Sequence, residues 1–175
     1  NRKKPTATEP KKIPGDWERP TAMVIIPEMH IRRSELIDPA AETEMVKRLL
    51  SENFTVIDSE YVHLMKADRR QAKRLFRNLK TTSEYARDKD VDVLIYGEAI
   101  SEHAAGIGEF EGCRARVELK AIKVDTDEIL LSDSAEGGAT DLAETVAGKK
   151  AIKQAANRLA DTFLYNLAQK WKAQK

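Results

Sequence analysis

The side chains best equipped for chemistry in this chain are three histidines, His30, His63 and His103, and a single cysteine, Cys113. No two of the histidines stand three or four positions apart. One cysteine makes no Cys-x-x-Cys pair, so no local spacing prepares a tetrahedral metal site. There is no Gly-x-Ser-x-Gly turn to hold a serine nucleophile towards a base. Cys113 falls on the apolar side of an alternating run, where a cysteine behaves as a small buried hydrophobe rather than a reactive thiol. Gly106-Ile-Gly108-Glu-Phe-Glu-Gly112 imitates a dinucleotide fingerprint. Its third glycine comes one residue late, however, and a strand follows where a bound phosphate needs a helix N-terminus. Asp125-Thr-Asp127-Glu128 lacks the glycine and distal glutamate of a calcium loop, which leaves a solvated turn. These residues predict no catalytic site, no metal and no cofactor.

Binding is a different matter, because one stretch is charged asymmetrically. Arg69, Arg70, Lys73, Arg74, Arg77 and Lys80 occur with no acidic residue between Asp68 and Glu84. On a helix, Arg70, Lys73, Arg74 and Arg77 share one face beside the apolar stripe, and they form the candidate polyanion- or partner-binding site. Such a face could engage phosphates, anionic lipid headgroups or an acidic protein partner. The alternative is a solvated face whose counter-charges come from elsewhere in the fold. No aromatic residues interleave as stacking platforms, so nucleic acid is the weakest of these partners.

The elements that must position these groups follow a regular order. Ala22–Pro27 is a continuous apolar run, the mark of a strand covered on both faces. Asp38 and Pro39 open a helix, as cap and first residue. Ala41, Met45 and Leu49 make its stripe, and Asn53 stops it. Phe54–Ile57 is a second strand. A longer helix then starts at Asp68 and carries Ala72, Leu75, Phe76, Leu79 and Ala86 at helical spacing. Val91–Tyr96, running on towards Ile100, is a third strand. Strand, helix, strand, helix, strand implies parallel neighbours.

The pattern changes after the loop from His103 to Gly112. Cys113, Ala115, Val117, Leu119 and Ala121 alternate with charged residues, as in a half-exposed antiparallel strand. The apolar phase slips at Ile122 and Val124, which predicts a bulge. A turn at 125–128 leads into Ile129–Leu131, the start of a returning strand that Gly137 and Gly138 end. Asp141 and Glu144 resemble a capping box. They precede a long last helix with Ile152, Ala156, Leu159, Phe163, Leu167 and Trp171 on its stripe. The fold class is therefore α/β, a three-layer-like sandwich with a βαβαβ start, a long antiparallel hairpin and a C-terminal helix. Residues 21–173 form one domain. Residues 1–20, rich in Lys, Pro, Thr and Glu, are expected to be a disordered tether. Trp17 either pins the end of that tether onto the domain or stays partly exposed.

With 175 residues the chain suits a single core. Its 30 basic and 29 acidic residues give a net charge of +1, not the basic excess of a dedicated nucleic-acid binder. No apolar stretch reaches the roughly 18–20 residues that span a bilayer. The first residue is Asn, so an export signal could have been removed, and the lone cysteine does not decide the compartment.

Three segments carry a family resemblance. Val91-Asp-Val-Leu-Ile-Tyr-Gly97-Glu98-Ala, Val117-Glu-Leu-Lys-Ala-Ile-Lys-Val-Asp-Thr-Asp-Glu-Ile129 and Ala151-Ile-Lys-Gln-Ala-Ala-Asn-Arg-Leu-Ala160 resemble two strands and the closing helix of a bacterial envelope group. That group includes the curli-secretion lipoprotein, flagellar assembly protein T, the penicillin-binding-protein activator lipoprotein and the N-terminal domain of TolB. Asp127 departs from the pattern, standing where the group's hairpin turn carries Gly, which implies a turn of another type. The resemblance implies an anticodon-binding-domain-like topology. It also implies a non-catalytic assembly or partner-binding role in the periplasm or at the outer membrane, in an exported protein or lipoprotein. Its partner would be another protein or a second copy, with membrane contact only through an anchor upstream of Asn1. The competing expectation is a cytosolic polyanion- or ligand-binding domain that uses the basic helix.

Overall fold

The computed structural model describes residues 13, 15, 17–30, 39–106 and 108–174. Most of the expected tether and the expected cap Asp38 lie outside the described residues. Trp17 is half-buried and meets Phe54 edge-on, with ring centroids 5.6 Å apart, so it packs against the domain.

The first apolar run forms β1 (Ala22–Ile25) and continues as β2 (Glu28–His30). Next come α1 (Ala40–Ser51), β3 (Val56–Ile57), α2 (Tyr61–Ala67), α3 (Arg69–Leu75), α4 (Leu79–Arg87) and β4 (Val93–His103). The chain ends with β5 (Glu111–Lys123), β6 (Glu128–Asp141) and α5 (Glu144–Lys172). The sheet order is β3-β1-β4-β5-β6, with β2 also beside β4. β1 runs parallel to β3 and β4, as the connection rules require, while β4, β5 and β6 are antiparallel. β1 and β2 hold one register against β4, Ala22 opposite Val93 and Glu28 opposite Ala99. Pro27 lies between them; it has no amide to give, but its carbonyl accepts the Ala99 amide at 3.0 Å.

Each face of the sheet has its own core. On one face Val24, Ile95, Val117 and Leu119 meet α1 and α5 through Met45, Leu49, Ile152, Leu159 and Phe163. On the other, Met23, Ile25, Leu94 and Ile122 are covered by Met65, Ala72, Phe76 and Ala86 of the α2–α4 segment. That makes three layers. The fit of α5 to the hairpin depends on small residues at the contact, with Gly137 of β6 lying against Ala151 and Ala155 of α5. A Cβ at 137 would come within 2.3 Å of the Ala151 carbonyl oxygen.

Several expectations are corrected. The long second helix is broken in two. Phe76 turns inward to meet Tyr61 and Tyr85 edge-on, centroids 5.3 and 5.1 Å away, and Asn78 caps a new helix through the Thr81 amide. Burying an aromatic ring at the break outweighs helical continuity. α2 precedes the break in a segment without a clear period. Pro39 stands at the N-cap rather than inside α1, and the Glu28 carboxylate accepts the Ala41 amide. β6 runs through Gly137 and Gly138 to Asp141, because both glycines pair with β5. Asp141 and Glu144 form no capping box: Ala143 is the N-cap of α5 and the Glu144 side chain is committed elsewhere. The bulge falls where the phase slips, between Ala121 and Ile122. Asp127 takes a φ of 57°, in the left-handed region where glycine is most at ease, so the residue type departs from the family pattern while the conformation suits a glycine. Its carboxylate accepts from Ser83 and Arg87, tying the hairpin turn to α4.

Candidate functional site

Folding brings together a serine, a histidine and a carboxylate that no local spacing announced. His30 on β2 has its Nδ1 2.8 Å from Ser101 Oγ on β4 and its Nε2 2.9 Å from Glu144 Oε1 on α5. The three are 71 and 114 residues apart in sequence, out of reach of any motif. The order of partners is the reverse of a hydrolytic triad, in which the serine shares Nε2 and the acid holds Nδ1. Ser101 and His30 are both fully buried, and Gly148 of α5 closes over them so tightly that a Cβ there would lie 3.0 Å from His30 Nδ1 and from Ser101 Oγ. A nucleophile sealed in this way meets no substrate. The group instead cross-braces β2, β4 and α5, each ring nitrogen having a hydrogen-bond partner. Ser101→Ala should therefore lower the free energy of unfolding in urea by ~1–3 kcal/mol, the cost of leaving a buried ring nitrogen without its partner. Cys113 adjoins the brace, its thiol 3.3 Å from the Glu144 carbonyl oxygen. Burial pushes that thiol's pKa up, with the charges of Glu144 and Glu111 acting the same way, so it is not poised as a thiolate.

In open α/β sheets, ligands settle beyond the carboxyl ends of the parallel strands. Two of the chain's own carboxylates already bond the amides there. Glu42 Oε2 accepts the Ile26 amide at 3.2 Å, just past β1, and Glu28 accepts the Ala41 amide at 2.5 Å at the start of α1. Burial raises the Glu42 pKa to about 7, against the pull of the Ile26 amide and with help from Glu28 and Asp58. The other histidines stand apart: His63 is exposed, and His103 pairs with Glu111 at 2.9 Å across the loop that joins β4 to β5. That loop leads into a strand, so its glycines cradle no phosphate.

The expected basic face is only partly assembled. Arg70, Lys73 and Arg74 lie on α3 and are exposed, but Arg77 stands beyond the end of α3, in the turn before Asn78. It is exposed on that turn and does not extend a single helical face. Asp68, the acidic residue that opens the segment, caps α3 by accepting the Arg70 and Gln71 amides at 3.0 Å.

A second surface emerges only in three dimensions. The α2–α4 layer covers the sheet as far as Leu94 and Ile122, and among the described residues no helix covers the rest of the β4-β5-β6 face. Even-numbered residues point there, and Arg114, Arg116, Glu118, Lys120, Ser132, Ser134 and Glu136 are exposed. Ile100, Glu102, Arg114, Arg116, Glu118 and Glu136 line a shallow groove of about 460 Å³. Arg114 pairs across the ladder with Glu102, and Arg116 pairs along the strand with Glu118 at 2.6 Å. Strand alternation in the sequence marked this face as exposed, but nothing local showed that no helix would cover it.

The sequence matches the family model for the C-terminal domain of TP0693-like lipoproteins over residues 21–164. No match is found among the curated proteins. Among solved structures, the fold is similar to the hypothetical protein CT253 from Chlamydia trachomatis, at 10% identity over 87% of this chain and 98% of that one, with a TM-score of 0.51. Weaker likenesses include the PelC dodecamer from Paraburkholderia phytofirmans, at 14% identity over 86% and 94% of the two chains, TM-score 0.45. Another is the LpoB C-terminal domain from Salmonella enterica, at 15% identity over 71% and 86%, TM-score 0.41.

Proposed function

The chain belongs to the TP0693-like lipoproteins through their C-terminal domain, and from that premise we propose that it is a non-catalytic module that binds a protein partner on the bare face of its hairpin. Membership places it in the bacterial cell envelope, periplasmic or associated with the outer membrane, and so decides against the cytosolic alternative. One observation carries the proposal: among the described residues, no helix lies over the outward face of β5 and β6, whereas β1 is buried on both sides.

The chemistry of that face supports a protein rather than a small molecule. Glu102, Arg114, Arg116, Glu118 and Glu136 line the groove with charge, whereas small ligands are held in largely apolar pockets. Its charges are arranged in advance: Arg114 is paired with Glu102 and Arg116 with Glu118. Such a pattern selects a partner of complementary pattern and fixes its register, at little entropic cost because the ion pairs already hold the side chains.

The test is site-specific crosslinking in the native envelope. A photoreactive residue at Lys120 or Ser134 should give a discrete protein adduct, and one at Asn157 on the outer side of α5 should not. Reversing Arg114 and Arg116 to glutamate should abolish the adduct by like-charge contact while leaving the melting temperature within about 3 °C, since exposed pairs contribute only ~0–1 kcal/mol to folding. Equal labelling from the two sides of the molecule would refute the assignment.

A further inference from the structure

We infer that the segment from Lys66 to Lys80 is a second, separate site, at which the domain lies against an anionic membrane surface. Seven of its fifteen residues are basic and one, Asp68, is acidic. The rest of the chain holds 23 basic and 28 acidic residues, so a net +1 conceals a segment of +6 facing a remainder of −5. The sole acid is spent on capping α3. Elsewhere several basic side chains are paired: Arg48 with Asp161, Arg87 with Asp127, Lys89 with Glu60, Lys150 with Asp141 and Lys153 with Glu44. Among the described residues, Arg70, Arg74 and Arg77 pair with no carboxylate, and all three are exposed. α3 buries only Ala72, so the core does not require this concentration of charge.

The surroundings of the charge select its partner. Single-stranded nucleic acid needs exposed rings on which to stack. The exposed large hydrophobic side chains of the described residues, Met29, Leu50, Phe110, Ile129, Leu142 and Val146, all lie outside the segment. Its one aromatic residue, Phe76, is buried. What it offers is a spread of long cationic side chains, which suits a diffuse layer of phosphate headgroups. A domain of the envelope has such layers within reach.

The test is co-sedimentation of the 175-residue protein with vesicles. It should bind phosphatidylglycerol–phosphatidylethanolamine vesicles and ignore phosphatidylcholine, and binding should vanish as salt rises from ~0.1 to ~0.5 M. Arg70→Glu/Arg74→Glu/Arg77→Glu should weaken binding by about tenfold or more. Lys47→Glu/Lys170→Glu/Lys172→Glu, an equal charge change on other exposed positions, should not, and both variants should melt with the parent protein. Equal binding to both kinds of vesicle, equal losses in the two variants, or a preference for polyglutamate over vesicles would overturn the inference. The Arg114/Arg116 variant of the hairpin should keep its vesicle binding, so the two sites fail independently.

Discussion

Gly97→Ala is expected to destabilise the domain by ~3 kcal/mol or more, lowering the melting temperature by roughly 10 °C, although it adds a single methyl group. Gly97 lies mid-way along β4, opposite Leu119 of β5. A Cβ built there would lie 1.9 Å from the Glu118 carbonyl oxygen, 2.8 Å from Leu119 Cδ2 and 2.9 Å from the Glu118 carbonyl carbon. Leu119 could swing aside, but the Glu118 carbonyl belongs to the neighbouring backbone. It can retreat only by parting β4 from β5, the central pair of the sheet, and both cores are anchored to those strands. Against a total stability of about 5–15 kcal/mol, such a loss shows clearly in thermal melts followed by circular dichroism. Gly138→Ala supplies the contrast. Its Cβ meets nothing closer than the Cys113 carbonyl oxygen at 3.7 Å, so that variant should melt close to the parent protein. Equal melting temperatures for the two variants would show that β4 and β5 are not in such close contact at Gly97.

Legibility followed the range of the forces involved. The apolar run at 22–27, the alternation at 113–121 and the 3.6-residue stripe from Ile152 to Trp171 each report one element facing one surface, and each is where the sequence placed it. The bulge was readable because a slip of one residue moves side chains to the other face. The break at Phe76 was not readable. Leu75, Phe76 and Leu79 keep helical spacing across it, and only the rings of Tyr61 and Tyr85 explain why the chain turns. Two helix starts depend on similarly distant partners. α1 takes its amide acceptor from Glu28, thirteen residues away on β2, and Glu144 is drawn away from its own helix end by His30.

The candidate sites divide along the same line. The basic run was visible because its charges are neighbours in sequence. The bare sheet face was half visible: alternation gave the outward residues, but whether a helix lies above them depends on where the α2–α4 segment stops. The Ser101–His30–Glu144 brace was invisible, since its members come from three elements and only one of the three is a residue type worth suspecting. A search for catalytic spacing was bound to miss it, because 71 and 114 residues separate His30 from its two partners.

Glu42→Gln should remove a pH dependence that the parent protein shows between about pH 4.5 and about pH 7. Burial of the Glu42 carboxyl, with Glu28 and Asp58 nearby, raises its folded-state pKa from 4.5 to about 7. An acid whose pKa is raised holds its proton more tightly in the folded protein than in the unfolded chain. Below about pH 4.5 both states carry the proton and Glu42 costs nothing. As the pH climbs, the unfolded chain gives up the proton first and stability declines; above about pH 7 both states are ionised and the loss is complete. A rise of this size corresponds to about 3 kcal/mol. Glutamine is neutral throughout, and its carbonyl oxygen can still accept the Ile26 amide that Glu42 accepts at 3.2 Å. The two proteins should therefore have similar stability at about pH 4.5, and the variant should be the more stable by roughly 2–3 kcal/mol at about pH 8, measured as the difference in urea unfolding. Comparing the two proteins cancels the titrating groups that do not interact with Glu42. A difference that stayed constant with pH would mean that Glu42 is solvated and ionised like an ordinary surface carboxylate.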